Sequence, residues 1–382
     1  MKIKIIVCVI FLFSTIRALC DDIRISLFNN HQVGSIAVGA LNGELVVSTD
    51  DSVKYFRYVI ADGQEIHATL QDGEILLMDE SYKIGSFERI IIKSADSSAV
   101  VRLKPVAPQL EARNYEDLII MTAENNRIRI INHIDPVKYI AAVVEAETGT
   151  RQTAEFYKAK AIICRTYLFA NLERHQHEGF HLCDEVHCQA HKGQSRNSEI
   201  LSAVRSTDNI VIIDPQTSKP ILAAYHSNCG GITELAQNVW QSSLPYFVPV
   251  VDPYCSNSPN ARWQRRIPLD EWINYLIRKG YTPNPDVAVD FYFQQLTRTN
   301  DYKIGNISIP FRQLRTDWNL RSTFFSISIE DGAVMLNGRG FGHGVGLCQE
   351  GAMEMARRGF KYHEIINYYY KDVRLATFEN EE

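Results

Sequence analysis

Short apolar runs separated by turn dipeptides dominate the first hundred residues of the chain. Asn42-Gly43 and Asp72-Gly73 each stand between two such runs. Dipeptides of this kind between alternating apolar runs are typical of tight β-hairpins. The pattern therefore predicts a small β-rich domain over residues 21–108.

Beyond residue 108 the pattern mixes strand and helix periodicities. A short apolar helix is predicted over 137–147, and a longer one over 153–175, where apolar residues recur every three or four positions. We expect an α+β fold, with the small N-terminal β domain followed by a mixed α/β region that has a central cleft. This second region spans 109–376 and carries an insertion at about 257–322.

Composition excludes several classes of protein. The 382 residues are 45% hydrophobic and 22% charged, which is typical of a folded protein and excludes a wholly disordered chain. The net charge of −5 makes nucleic acid an unexpected main partner. No apolar run of 18 residues follows the N-terminal segment, which excludes a polytopic membrane protein.

Residues 1–20 have the pattern of an export signal. Lys2 and Lys4 precede a nine-residue apolar run at 5–13, and small residues follow as far as Cys20. Cleavage after Cys20 is the main interpretation, with an N-terminal anchor or an acylated lipoprotein as alternatives. In each case we expect the mature chain to act in the periplasm or cell envelope.

Two carboxylates lie where the first predicted helix meets a loop. Glu145 and Glu147 follow the apolar residues Val143 and Val144. Shielding by apolar neighbours favours a protonated carboxyl, which a general acid needs. The alternative is that both are ordinary solvated side chains at a helix end.

A dense set of cysteines and histidines follows the longer helix. These side chains are the ligands that zinc takes in tetrahedral sites. We expect one structural zinc held by Cys183, His187, Cys188 and a fourth ligand, either His181 or His177. A local Cys183–Cys188 disulfide stays open as the alternative, although it leaves the histidines unexplained.

A further segment combines polar residues with a glycine pair. Tyr225, His226 and Ser227 precede it. Neighbouring residues on a strand point to opposite faces, so His226 is badly placed to activate Ser227 as a nucleophile. A ligand-contacting strand and a plain strand-turn are both compatible with the pattern.

A glycine-rich segment at 338–346 alternates glycine with larger residues. It fits neither the dinucleotide fingerprint nor the phosphate-binding loop. Alternating glycines let a backbone approach a bulky ligand closely. We therefore expect Gly342, His343 and Gly344 to line the cleft.

Taken in order, these segments resemble the stage II sporulation protein D (SpoIID/LytB) family. The likeness extends over roughly residues 115–372. The segments that carry it are Ala142–Thr148, Glu155–Tyr167, Cys183–Gln189, Tyr225–Glu234, Asn238–Trp240, Asp252–Cys255 and Gly338–Gln349.

The resemblance implies a peptidoglycan lytic transglycosylase that cleaves the MurNAc–GlcNAc bond and prefers glycan strands without stem peptides. It places the catalytic glutamate at Glu147 and a further catalytic residue at Arg165. Lys158 shares a helix face with Arg165, and either cation could orient the glutamate or meet the lactyl carboxylate of muramic acid. The residues expected to contact substrate are Lys158, Tyr167, Tyr225, His226, Ser227, Gly342, His343, Gly344 and Gln349.

Two other readings of the resemblance stay open. Some relatives are described as enhancers of a partner amidase, so a non-catalytic peptidoglycan-binding modifier of a cell-wall amidase is the alternative function. A zinc amidase is less compatible, because two cysteines and two histidines would fill the coordination sphere and leave no position for water. The process served, whether division, remodelling or sporulation-like engulfment, is not indicated by the sequence.

Overall fold

The computed structural model describes residues 23–49, 56–96, 98–240, 243–283 and 291–377. The export signal expected at 1–20 lies outside these residues. Within them, no helix combines the length and apolar character needed to cross a bilayer.

Strands make up the first third of the described chain, as the alternating pattern predicts. They are β1 (Ile23–Leu27), β2 (Ser35–Leu41), β3 (Leu45–Ser48), β4 (Arg57–Ile60), β5 (Glu65–Gln71), β6 (Glu74–Asp79), β7 (Tyr82–Phe87), β8 (Arg89–Ser94), β9 (Val100–Ala107), β10 (Arg113–Tyr115), β11 (Leu118–Glu124) and β12 (Arg127–Ile134).

Helices and short strands alternate in the rest of the chain, which confirms the α+β class. They are α1 (Pro136–Thr148), α2 (Ala154–Ala170), β13 (Leu182–Cys183), α3 (Ser198–Ser206), β14 (Ile210–Ile213), β15 (Tyr225–His226), α4 (Gln237–Trp240), β16 (Arg262–Pro268), α5 (Leu269–Arg278), β17 (Asp301–Ile304), β18 (Ile307–Pro310), α6 (Phe311–Asp317), β19 (Phe325–Glu330), β20 (Ala333–Arg339), β21 (Leu347–Cys348), α7 (Gln349–Arg357), α8 (Tyr362–Tyr369) and β22 (Arg374–Thr377).

The N-terminal strands form two sheets rather than a series of hairpins. One sheet has the order β13-β1-β12-β11-β8-β3-β4 and the other β10-β9-β2-β5-β6-β7. Asp72-Gly73 does join a hairpin, because β5 and β6 pair antiparallel. Asn42-Gly43 instead carries the chain from one sheet to the other, with Asn42 in the left-handed region at φ 60°.

The boundary expected at residue 108 does not separate two domains. Strand β1 pairs with β12 and also with β13, so the seven-stranded sheet contains segments from both sides of that boundary. Ile25 and Ile130 of this sheet lie in one hydrophobic core with Val143 and Ile163 of α1 and α2. The N-terminal strands are therefore part of the platform that supports the helices.

Helix α1 begins and ends at clear local signals. The Asp135 side chain accepts a hydrogen bond from Lys138 N at 3.0 Å, and Pro136 occupies the first turn. Gly149, with φ 70°, ends the helix. These signals place Glu147 in the last turn, with the apolar face of the helix buried behind it.

The region around the expected insertion has a hydrophobic core of its own. Trp263, Trp272 and Phe311 lie in this second core. It reaches beyond residue 322, because β16 pairs with β20 of the hairpin β19–β20. The insertion is thus a small α+β unit attached beside the glycine-rich loop.

Candidate active site

Glu147 is held by one ion pair and two hydrogen bonds, which come from three separate segments. Its Oε2 atom lies 2.7 Å from Lys160 Nζ on α2. Its Oε1 atom accepts hydrogen bonds from Tyr225 Oη at 2.8 Å and from Ala190 N at 3.2 Å. The side chain keeps 12% of its surface exposed, although its Oε2 atom is buried against Lys160.

Lys160 is a buried cation with two partners. Its side chain has no exposed surface, and Nζ lies 3.0 Å from the centroid of the Tyr225 ring. A buried charge is costly unless it is paired, and the carboxylate and the ring face supply that pairing. Burial, and then the neighbouring Glu147, hold the pKa of Tyr225 well above its usual value, so the phenol stays protonated and donates a hydrogen bond to the carboxylate.

Glu145 points to a different set of partners. Its Oε2 atom accepts hydrogen bonds from Ser195 Oγ at 2.6 Å and from Arg196 N at 3.1 Å. These contacts attach the end of α1 to the segment that leads into α3. The two neighbouring glutamates therefore have separate roles, and Glu147 alone joins the cluster with Lys160.

The structure corrects the places expected for Arg165 and Lys158. The buried Arg165 guanidinium donates to the carbonyl oxygens of Thr207 and Val204 at 2.7 and 3.1 Å, and also to that of Ile210, so it caps the C-terminal end of α3. Burial lowers the pKa of Arg165 to about 10. Lys158 pairs with Glu155 at 3.0 Å on its own helix. Neither cation is a partner of Glu147.

Four of the cysteines and histidines lie close enough together to bind one ion, and one of the four differs from the expected set. One ligand atom from each of His175, Cys183, His187 and Cys188 lies within 4.8 Å of the other three. Two thiols and two imidazoles in this arrangement fit tetrahedral zinc. The fourth residue of this group is His175, whose Nε2 lies 3.5 Å from Cys188 Sγ.

The two histidines expected as fourth ligand lie elsewhere. His181 Nδ1 accepts a hydrogen bond from Arg24 N at 3.1 Å, because the backbone next to β13 is paired with β1. His177 is 78% exposed on the surface. Helix α2 ends at Ala170, earlier than expected, and the turn that follows brings His175 back to the cysteines.

The segment 175–188, which carries these four side chains and is called the ligand loop below, is connected to Glu147 through the residues that follow it. Gln189 accepts from Tyr139 Oη and donates to the carbonyl of Cys164, at 3.2 Å in both cases. Ala190 N then donates to Glu147. Tyr167, expected to contact substrate, donates instead to the carbonyl of His187 at 3.2 Å and supports the same loop.

Strand β15 brings Tyr225 to Glu147 and turns its neighbours away. His226 is buried on the opposite face, with Nδ1 3.1 Å from the carbonyl of Val345. The carbonyl of Ser227 accepts from Glu350 N at 3.0 Å. The alternation predicted for this strand therefore holds, and His226 and Ser227 serve packing in this arrangement.

The glycines of the glycine-rich loop face the protein rather than a ligand. A Cβ on Gly342 would lie 2.8 Å from His226 Cβ, and one on Gly344 would lie 2.8 Å from Arg298 Nη2. The loop leads into β21, which pairs in parallel with β15. Alternating glycines are needed here so that the loop can pack directly against β15 and its neighbours.

Two larger residues near this loop remain available to a ligand. The His343 ring lies 5.1 Å from the ring of Trp240, which is 39% exposed. A partly exposed indole offers a flat apolar face suited to stacking on a sugar ring.

Gln349, also expected to contact substrate, has a buried Oε1 with no hydrogen-bond partner in the described part of the chain.

Comparison with known proteins agrees with the segments that form the site. A family model described as "SpoIID: Stage II sporulation protein" matches residues 124–213. Stage II sporulation protein D of Bacillus amyloliquefaciens is 27% identical over 272 residues, which cover 65% of this chain and 76% of the relative. The chain is therefore similar to the SpoIID family over the segments that hold Glu147 and Lys160.

Two further relatives extend this comparison. An uncharacterized protein of Brachyspira hyodysenteriae is 26% identical over 278 residues, covering 70% of this chain and 74% of the relative. The amidase enhancer of Bacillus subtilis (strain 168) is 25% identical over 292 residues, covering 63% of this chain and 40% of the relative. The part matched by the SpoIID family model runs from β11 to β14 and holds Glu147, Lys160 and the ligand loop.

Proposed function

We propose that this protein is a peptidoglycan lytic transglycosylase that cleaves the MurNAc–GlcNAc bond of glycan strands. Similarity to the SpoIID family supports a cell-wall related function. The observation that carries the finer proposal is the single accessible carboxylate of Glu147, held by Lys160, Tyr225 and Ala190 N. Its substrate lies outside the cytoplasm, so the proposal also requires export, in accord with the signal pattern of residues 1–20.

One carboxyl group is sufficient for this reaction. Glu147 protonates the oxygen that leaves with the GlcNAc unit, as a general acid does in glycoside cleavage. The 6-hydroxyl of the muramic acid attacks its own C1, and the bond from C1 to the leaving oxygen breaks. Glu147 takes the proton of that hydroxyl, and the product carries a 1,6-anhydro ring.

Lys160 supplies the proton that Glu147 needs at the start. In the resting pair the ammonium stabilises the carboxylate across 2.7 Å. Transfer of one proton along this contact gives a neutral amine and a neutral acid. After the reaction the proton taken from the sugar hydroxyl returns to Lys160, so the pair ends as it began.

A zinc ion bound by His175, Cys183, His187 and Cys188 would have a structural role. Four protein ligands fill its coordination sphere and leave no open position for water. The residues after Cys188 then hold Ala190 N against Glu147. Metal at this place would therefore act on catalysis only by positioning the loop.

The preference for denuded strands finds no support from Arg165 or from the glycines of the glycine-rich loop. Arg165 is occupied by backbone carbonyls of α3, and Gly342 and Gly344 face the protein. The partly exposed Trp240 and His343 are better placed to contact sugar rings. We therefore propose glycan strands as the substrate class, and both intact and denuded strands belong in the test.

The test is the chemical nature of the new chain ends. Purified full-length protein is incubated with intact and with amidase-treated glycan strands, and the products are examined by mass spectrometry. We expect 1,6-anhydro ends from the wild type and a loss of about 100-fold or more in rate for Glu147→Gln. Ordinary reducing ends would identify a hydrolase and contradict the proposal.

Glu145→Gln is the matched control for this experiment. It alters the neighbouring carboxylate, whose partners are Ser195 and Arg196 rather than Lys160. We expect it to keep most of the cleaving activity. An inactive Glu145→Gln variant together with an active Glu147→Gln variant would show that Glu145, and not Glu147, is the general acid.

A second candidate function is modification of a cell-wall amidase. The similarity to the amidase enhancer of Bacillus subtilis favours it. Such a role needs binding to glycan but no general acid. If Glu147→Gln stimulates stem-peptide release by an added amidase as strongly as the wild type, while neither forms anhydro ends, the modifier role replaces the enzymatic one.

A further inference from the structure

A second group of metal-ligand side chains lies apart from the ligand loop. One ligand atom from each of Cys229, Asp252, Cys255 and Cys348 lies within 4.8 Å of the other three. All four residues are buried, each with no exposed surface. The glycan-cleaving proposal uses none of them, so this group needs its own explanation.

The separations suit a shared ion. A zinc–sulfur bond of about 2.3 Å and tetrahedral angles place two sulfur ligands about 3.8 Å apart. Cys229 Sγ lies 3.5 Å from Cys255 Sγ and 3.3 Å from Asp252 Oδ2. Both cysteines are free, and the distance between them is far longer than a covalent S–S bond of about 2.05 Å.

The groups around these side chains hold them in a ligand arrangement. Tyr369 Oη donates to Asp252 Oδ2 at 3.0 Å, and Tyr254 N donates to Oδ1 of the same carboxylate at 2.9 Å. Cys348 Sγ accepts from the backbone N of Cys229 at 3.3 Å. Outer contacts of this kind orient the ligands of protein metal sites.

A glycine makes room for the carboxylate. A Cβ on Gly351, in the first turn of α7, would lie 2.3 Å from Asp252 Oδ2 and 2.2 Å from Tyr369 Oη. Any side chain at this position would push Asp252 away from the three cysteines. The close approach of α7 to the group is thus part of its construction.

We propose that Cys229, Cys255, Cys348 and Asp252 bind a zinc ion. Three thiolates and one carboxylate oxygen complete a tetrahedral set in a fully buried place, which makes the site structural. Binding releases the thiol protons to solvent. The proposal does not depend on glycan cleavage.

The ion would join three segments that are distant in sequence. Cys229 follows β15, Cys255 follows the bridge at Val251, and Cys348 ends β21 immediately before α7. Its effect is to fix the pairing of β15 with β21, and with it the strand that presents Tyr225. The first ligand group, after α2, fixes Ala190 on another side of Glu147.

The zinc content per chain, measured in variants that lack ligands from one group at a time, distinguishes the two groups. The full-length protein is purified without chelator, and zinc is counted by elemental and native mass spectrometry. We expect two zinc ions in the wild type, one in Cys229→Ser/Cys255→Ser, and two in Cys164→Ser. Cys164 is the matched control, because it is a buried free cysteine that belongs to neither group.

A complementary variant keeps the new site intact. Cys183→Ser/Cys188→Ser removes two ligands of the first group, and we expect it to keep one zinc per chain. Zero zinc in this variant while its circular dichroism remains native would overturn the proposal, whether or not the Cys229→Ser/Cys255→Ser chain folds. Peptide mapping that finds a Cys229–Cys255 disulfide in the wild type would also overturn it.

Discussion

Lys160 Nζ lies 2.7 Å from Glu147 Oε2, in a position where the lysine has no exposed surface. The contact joins the last turn of α1 to the middle of α2. Because this cation has no access to water, its charge acts on the carboxylate with little screening. The pair is therefore the electrostatic centre of the candidate site.

Replacing this lysine tests its part in the proton transfer. We expect Lys160→Met to lower kcat by more than about tenfold, because a charge-assisted contact contributes about 1.5–3 kcal/mol and 1.4 kcal/mol corresponds to a factor of ten. The measurement is the rate of anhydro-end formation. Lys158→Met, two residues away and paired with Glu155, should leave kcat unchanged, and an equal loss in both variants would speak against a specific role.

Arg165 is expected to contribute to stability rather than to chemistry. Arg165→Lys provides one ammonium for carbonyl oxygens that the guanidinium now reaches at the end of α3. Leaving one or two buried acceptors without a donor should lower the free energy of unfolding by about 2 kcal/mol or more. Urea denaturation measures this change. A variant of unaltered stability but lost activity would restore the catalytic interpretation.

Metal binding distinguishes the two histidines that flank Gln176. We expect His175→Ala to lose one zinc per chain or to bind it more than about 100-fold more weakly, since it removes a ligand rather than an outer contact. His177→Ala, whose side chain is 78% exposed, should keep its zinc. Competition with a chromogenic chelator gives both affinities. Unchanged affinity in His175→Ala would remove it from the ligand set.

His191 should make the fold sensitive to acid. Its ring is buried between Tyr115 and Tyr139, and both ring nitrogens lack hydrogen-bond partners among the described residues. Burial, and then the charges of Arg113 and Lys192, lower the pKa of His191 to about 3. The unfolded chain binds this proton near pH 6.5, so stability from this residue is lost as pH falls from about 6.5 towards 3.

The variant His191→Phe keeps a ring in this place but cannot take up a proton. Between about pH 7 and pH 5 we expect the wild type to lose roughly 2 kcal/mol more unfolding free energy than the variant. Urea denaturation at the two pH values measures the difference. Parallel loss in both proteins would show that this histidine does not control acid stability.

Local signals were sufficient for the ends of α1 but not for the C-terminal end of α2 or for the pairing of strands. Pro136 and Gly149 mark the ends of α1, and the predicted helix lies within them. Asn42-Gly43 has the composition of a hairpin turn, yet it joins strands of different sheets. Which strands pair depends on contacts between residues far apart in sequence, such as Ile25 with Leu182, and no short pattern encodes them.

The candidate site likewise combines residues that a sequence pattern indicates with residues whose place depends on the fold. The resemblance pointed to Glu147 rather than Glu145, and in the structure Glu147, not Glu145, lies beside Lys160. Lys160 carried a signal that could have been used, since it stands on the buried side of α2 four residues after Phe156, where a charge needs a partner. The choice of His175 depends on how the chain turns after Ala170, which periodicity does not determine.

Because β1 pairs with β12 and β13, the edge of this sheet can form only after those later segments have been synthesised. Arg24 and His181, joined at this edge, are separated by 157 residues, so the N-terminal strand must wait for its neighbour while the chain is made. The strand that carries Tyr225 waits longer still, for β21 near the end of the chain. A nascent or prematurely ended chain therefore contains Glu147 without the strand pairing that places Tyr225 beside it. An unfinished chain would therefore lack the arrangement on which the proposed glycan cleavage depends.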